Sequence, residues 1–193
     1  MNYLLEYVSE IDKGNIIVGQ DLRTTLDRLI KDLDNPKFIF DETPGQLRID
    51  FIEKFCKHTK SPFNGMPFIL ELWEKAFLQT AYGFKYADTG LRRFNEVILL
   101  IARKNGKTTF VAGIDLAEFF LSSGGVDIVC ASNTNDQASI LFEEINNMRE
   151  HSKALSKPKR SRKNIFYIYS PKNKNKIKKL SGQSRNLDGF NIE

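Results

Sequence analysis

Cysteine, histidine and tryptophan are scarce in this 193-residue sequence, and a long apolar run is missing. The two cysteines, Cys56 and Cys130, lie far apart and outside any C-x-x-C pattern. That excludes a disulfide framework and a structural zinc site, and points to a reduced, cytosolic chain. His58 and His151, the only histidines, have no partner arrangement suited to catalysis or metal binding and read as incidental surface residues. No apolar stretch approaches the roughly 18 residues that a membrane span requires. The opening MNYLLEYVSE lacks a basic n-region and a cleavage site, so it does not read as a secretory signal. What is abundant is phenylalanine, 15 residues within a 41% apolar composition, enough for a substantial core in one domain or one and a part.

Charge is unevenly placed. Residues 151–193 hold 12 Lys and Arg against 2 Asp and Glu, whereas residues 1–150 hold 17 against 22. The stretches KALSKPKRSRKN and PKNKNKIKKL therefore form a basic block. It reads either as a solvated loop and hairpin or as a surface that attracts nucleic acid.

Helical periodicity dominates the first half. DLRTTLDRLIKDL places Leu22, Leu26, Leu29 and Leu33 on one face. TPGQLRIDFIEKFCKH predicts a helix with Thr43 as N-cap, Pro44 at its first position, Gln46 completing a capping box, and an apolar face of Leu47, Phe51 and Phe55. A further helix is expected over ILELWEKAFLQTAYGF. The texture changes near residue 95. EVILLIA reads as a strand buried on both faces of a parallel sheet, and KTTFVAGIDLAEFFLSSGG as a helix lined by Phe110, Ile114, Ala117 and Leu121 and ended by Gly124-Gly125. VDIVCAS reads as a second buried strand. The helix after it is predicted to start with a Thr134–Gln137 capping box and to bury Ala138, Leu141, Phe142, Ile145 and Met148. NIFYIYS and KIKKLSG look like two further strands. This βαβα order predicts an α/β fold with a mainly parallel sheet flanked by helices and preceded by a helical region.

Between the first predicted strand and its helix lies IARKNGKTTF. Its Gly-Lys-Thr ending is that of a phosphate-binding loop, in a strand–turn–helix context that aims amides and the positive helix end at an anion. Gly106 would allow close backbone approach, Lys107 would reach the β- and γ-phosphates, and the Thr108 hydroxyl would bind Mg²⁺. Asn105 is expected to form the turn, since asparagine tolerates left-handed dihedrals. The opening glycine of G-x-x-x-x-G-K-[ST] is replaced by Ile101.

With Arg103 early in the loop, ARKNGKTT resembles the altered phosphate loop of the large terminase subunits of tailed bacteriophages. GLRRFNEVILLIARKNGKTT, CASNTNDQASILFEEINNM and LDGFNIE resemble successive signatures of that family in order and spacing. The upstream segments VGQDLRTTLDRLIKDL, FIEKFCKH and FNGMPFILELWEKAFLQTAYGF resemble its N-terminal pattern, so the likeness covers nearly the whole chain. The resemblance implies a P-loop ATPase core over 91–193 behind a helical N-terminal subdomain over 1–90. It implies ATP and Mg²⁺ as cofactors, and Arg103, Lys104, Asn105, Gly106, Lys107, Thr108 and Thr109 around the phosphates. Arg103 and Lys107 would be the catalytic cations. Double-stranded DNA, the small terminase subunit, and the portal or procapsid would be partners of a ring oligomer in the host bacterial cytoplasm, with no membrane.

Two departures from the family pattern stand out. The family's Trp-Gln pair on the adenine side is Trp73-Glu74 here, and an ionised glutamate cannot donate to adenine N7. Trp73 also fits a core aromatic role. Second, the Walker B carboxylates and the nuclease domain of the family are expected beyond Glu193, so the chain is expected to bind ATP weakly with little or no turnover. Asn133 and Gln137 fit helix capping first and nucleotide or DNA contact second. Arg92 and Arg93 fit an ion pair or phosphate contacts equally. A helicase-like P-loop ATPase and a non-enzymatic basic nucleic-acid-binding module are the alternative readings.

Overall fold

Apolar periodicity builds most of the first of two structural units, which comprises Met1–Asp50 and Leu70–Leu100. The second comprises Phe51–Ile69 and Ile101–Glu193. The computed structural model describes residues 1–165 and 167–181, so the LDGFNIE signature lies outside the described residues. In the first unit, α1 (Tyr3–Asp12) is capped by the Asn2 side chain, which accepts from the Leu5 amide. The second helix, α2 (Gln20–Leu33), buries Leu26 but leaves Leu22 exposed. Helix α4 (Leu72–Gly83) starts with a capping box, in which the Glu74 carboxylate accepts from the Glu71 amide at 2.9 Å.

Two short strands stand among these helices that periodicity does not foretell. β1 (Phe38–Phe40) and β2 (Phe84–Tyr86) pair antiparallel, with Phe40 opposite Phe84 and their rings 4.7 Å apart. Leu4, Tyr7, Leu26, Ala76 and Phe84 form the core here, and Trp73 and Phe94 pack against it. Arg93 resolves as an ion pair: its guanidinium donates to Asp32 Oδ2 at 2.7 Å and lies 4.0 Å from the Phe38 ring centroid.

Helix α3 (Glu42–Phe55) begins one residue before the predicted N-cap. Asp41, not Thr43, supplies the cap, its Oδ1 accepting from the Thr43 amide at 3.0 Å. A carboxylate suits the positive helix end better than a hydroxyl does. Gln46 consequently turns to Asp50, at 2.8 Å, instead of closing a box. The buried residues here are Gly45, Ile49, Phe51, Ile52 and Cys56, so of the expected face Phe51 is buried, Phe55 is partly buried and Leu47 faces solvent.

In the second unit, α5 (Lys107–Leu121) buries Phe110, Leu116, Ala117 and Phe119, while Leu121 is exposed. Strand β3 (Asp127–Ser132) follows, and then α6 (Asn135–His151) with the expected stripe of Ala138, Phe142, Ile145 and Met148. Each fully buried phenylalanine contributes about 1.5–3 kcal/mol. The chain closes through β4 (Arg162–Lys163), β5 (Tyr167–Tyr169) and β6 (Lys176–Ser181). Sheet order is β3-β6-β5-β4, parallel for β3–β6 and antiparallel for the other two pairs. The sheet is therefore mixed and not mainly parallel. A tight turn can join β5 to β6 only as a hairpin, while the α6 crossover sets β6 parallel to β3.

A second expectation also fails. Residues 96–102 form no strand, and Ile98 and Leu100 are 84% and 95% exposed. An apolar run becomes a doubly covered strand only if neighbouring strands take its amides and carbonyls. Among the described residues no strand pairs with it.

Candidate functional site

Gly106 is the N-cap of α5 and sits at φ 73°, ψ 0°, a left-handed conformation that glycine adopts without cost. No side chain caps this helix end, and the first intrahelical bond runs from the Phe110 amide to the Gly106 carbonyl at 2.9 Å. The amides of Lys107, Thr108 and Thr109 therefore open the helix without intrahelical partners. A Cβ added at Gly106 would meet no atom within 4 Å, so the space over the turn is open. Lys107 is exposed, and its Nζ leans back toward the Ile101 carbonyl at 3.5 Å, the far limit of a hydrogen bond. Arg103, Lys104 and Asn105 are exposed as well, and Thr108 and Thr109 are partly buried. The loop thus brings two exposed cations, a lysine and an uncapped helix start to one place, an arrangement suited to a multiply charged anion.

The turn is made differently from expectation. Lys104, not Asn105, takes the left-handed conformation, with φ 69°. A lysine held there costs about 1–2 kcal/mol, which a glycine would not. Chain closure around Gly106 decides the geometry, against the local preference of asparagine.

Behind the loop lies a residue that sequence reasoning missed. Glu144 of α6 is 2% exposed, and its Oε1 accepts from the Thr59 hydroxyl at 2.6 Å and from the Thr109 hydroxyl at 3.4 Å. Its Oε2 pairs with Lys60 at 3.1 Å. One carboxylate thus ties the first turn of α5 to the segment around Thr59. The signal was available: Glu144 falls three residues after Leu141 and four before Met148, on the edge of an apolar stripe where an acid needs a reason.

The other singled-out residues lie elsewhere. Trp73 is partly buried against the first unit's core. Burial pushes the Glu74 carboxyl up to about 7, the Glu71 amide pulling it down and the Glu71 charge adding to the rise. Thr134 caps α6 by accepting from the Gln137 amide at 3.3 Å, but Gln137 does not reach back, because its Oε1 accepts from the Ser132 hydroxyl at 2.9 Å. Half of the predicted box forms. His58 packs its ring 5.0 Å from that of Phe68, and His151 bonds to Asn64 and Asn147. On α5, burial and then Glu118 push Asp115 up to about 7. Both thiols are free and buried. Among the described residues no cluster of His, Cys, Asp and Glu could hold a metal ion, and no helix is long and apolar enough to cross a membrane.

Comparison with known proteins points to one family. A family described as "Terminase large subunit, ATPase domain" matches residues 72–192, which include the whole loop. The large terminase subunit of Enterobacteria phage HK97 is 36% identical over 102 residues, 52% of this chain and 19% of that protein. The crystal structure of the HK97 bacteriophage large terminase superposes with a TM-score of 0.63 at 26% identity, covering 77% of this chain and 29% of that one. The chain therefore spans less than a third of the length of either relative. Because the family match extends over more than half of its residues, the chain belongs to the terminase large subunit family, through the ATPase domain.

Proposed function

We propose that this chain is the ATP-binding part of a motor that drives double-stranded DNA into a capsid, with the loop 101–109 as its phosphate seat. The observation that carries this reading is the left-handed Gly106 opening an uncapped α5, with an exposed Lys107 beside it. Lys107 and Arg103 neutralise the charge of the terminal phosphates, the Gly106–Thr109 backbone cradles them, and the Thr108 hydroxyl is the protein ligand for Mg²⁺. Lys104 and Asn105 line the turn at its rim. Bound ATP with Mg²⁺ supplies the transferable phosphoryl group, and the role of the residues here is positioning and charge compensation. Family likeness supports Trp73 and Glu74 on the adenine side. In the complete protein the activity would be coupled to DNA translocation by a ring at the portal of a procapsid, with the small terminase subunit as partner and a nuclease in a further domain.

Titration of the chain with ATP and Mg²⁺ tests the site. Losing one charge-assisted contact costs about 1.5–3 kcal/mol, so Lys107→Ala should weaken binding by about 10- to 150-fold. Equal affinities would remove the loop from the site. Phosphate release measured on the same samples is expected to be negligible, and brisk turnover would place the catalytic carboxylates within residues 1–193.

A further inference from the structure

A second cationic site lies in the second unit, at the C-terminal end of α5 and so at the opposite end of that helix from the phosphate loop. It is a cavity of about 390 Å³ with three walls, within the size range of ligand sites. It is lined by Ser122 and Ser123 at the end of α5, by Lys172 and Asn173 of the β5–β6 turn, and by Lys159 with Arg160. Among the described residues its lining holds no acidic side chain, although the Ser122 hydroxyl donates to Glu118 Oε2 at 3.2 Å.

Each wall is fixed by hydrogen bonds beneath the surface. Asn175, fully buried, donates to the Phe119 carbonyl at 2.9 Å and accepts from the Val126 amide at 3.0 Å, binding the end of α5 to the start of β3 and to the hairpin. The Gly125 amide donates to the Asn173 carbonyl at 2.7 Å, and a side chain at Gly124 would meet that carbonyl at 2.9 Å. The third wall is pinned by Ser161, 2% exposed, whose hydroxyl donates to the Leu155 carbonyl at 2.6 Å and accepts from Arg149 at 3.2 Å. Lys159, Arg160 and Lys172 are ion-paired to no carboxylate among the described residues, whereas the neighbouring Lys163 and Lys178 are neutralised by Glu143 and Asp127. Unpaired cations gathered around hydroxyls on a rigid frame have the chemistry of a phosphate receptor.

We propose that this cavity is a seat for the backbone phosphates of duplex DNA, held by Lys159, Arg160 and Lys172 and oriented by Ser123 and Asn173. The inference rests on the reading of the chain as part of a DNA motor, and it divides the protein between two anions: nucleotide at the start of α5, DNA at its end. Contacts of this kind position the duplex without reading its sequence.

The test is binding of fluorescent duplexes of two unrelated sequences to the chain over a range of salt. Replacing the three cations together (Lys159→Ala, Arg160→Ala, Lys172→Ala) should weaken both duplexes alike and lower the magnitude of the salt slope by about 3, roughly one per cation. The charge-keeping pair Lys159→Arg with Lys172→Arg should bind as the unaltered chain does, and ATP affinity should be unchanged in every variant. An unchanged salt slope in the triple variant overturns the proposal. So does equal affinity of the triple variant and the unaltered chain for both duplexes at low salt. A chain that binds DNA through these residues but fails to bind ATP would uphold the seat while sinking the motor reading.

Discussion

Replacing Glu144 by alanine tests whether the carboxylate behind the phosphate loop holds that region together. The side chain is 2% exposed and takes three donors: Thr59 at 2.6 Å, Thr109 at 3.4 Å and Lys60 at 3.1 Å. The Thr59 contact is short and charge-assisted, worth about 1.5–3 kcal/mol, and alanine also strands that hydroxyl. The Thr109 contact is long and contributes little. Lys60 is 70% exposed and returns to water at almost no cost. The expected loss is about 3 kcal/mol, which in a chain of this size lowers Tm by about 6–12 °C. Glu144→Gln keeps an acceptor for Thr59 and should lose less than half as much, and Lys60→Ala should fall within about 1 kcal/mol of the unaltered chain. Thermal unfolding followed by circular dichroism separates the three. If Glu144→Ala melted with the unaltered chain, or Lys60→Ala cost as much as Glu144→Ala, the hydroxyl contact would not be what holds the Thr59 segment to α6.

The buried Glu74 makes stability depend on pH. Its carboxyl, at 4.5 when free, is raised to about 7 in the fold, so between those values the folded chain keeps a proton that the unfolded chain has released. Stability from this group is complete below about 4.5 and declines as pH rises to about 7, by about 3 kcal/mol at one pKa unit per 1.36 kcal/mol. Glu74→Gln should flatten part of that slope and raise Tm at pH 8 but not at pH 4, Asp115 supplying the remainder in the same direction; an unaltered profile refutes the assignment. Two glycines give an opposed pair. A methyl at Gly45 would lie 2.5 Å from the Gln79 Cα, a backbone atom that cannot step aside, whereas at Gly113 it would touch the Ile52 side chain at 3.4 Å. Gly45→Ala is expected to cost about 1–3 kcal/mol in urea unfolding. Gly113→Ala should cost nothing, since helix propensity favours alanine by about 1 kcal/mol, and equal losses would contradict the packing described.

Helices were the legible part of the sequence because their rule is local. Helix α6 shows its whole stripe and its Thr134 cap within 17 residues, and α5 follows a turn whose Gly-Lys-Thr spacing is equally local. The cap of α3 shifted from Thr43 to Asp41 because two competent acceptors stand two residues apart and only the tertiary setting chooses between them. Strands were poorly legible. Whether 96–102 pairs depends on residues far along the chain, and β1 finds β2 across more than forty residues. Side-chain networks were legible least. Glu144 joins Thr59, 85 positions away, and no spacing rule connects them. At the loop, the sequence showed the glycine that opens α5, while closure of the turn chose Lys104 over Asn105 for the left-handed position.

The parallel pairing of β3 with β6 also bears on how the protein is made. While the ribosome is still elongating, β3 has emerged, but Asn175, which secures the Val126 amide at its start, is 49 residues behind that amide. At about 5–20 residues per second that gap lasts about 2.5–10 s. Throughout it the nascent chain carries a complete 101–109 loop on an unfinished sheet, with β3 lacking its partner strand. Slow codons between β3 and β6 would lengthen that interval and favour capture of the bare edge by another growing chain.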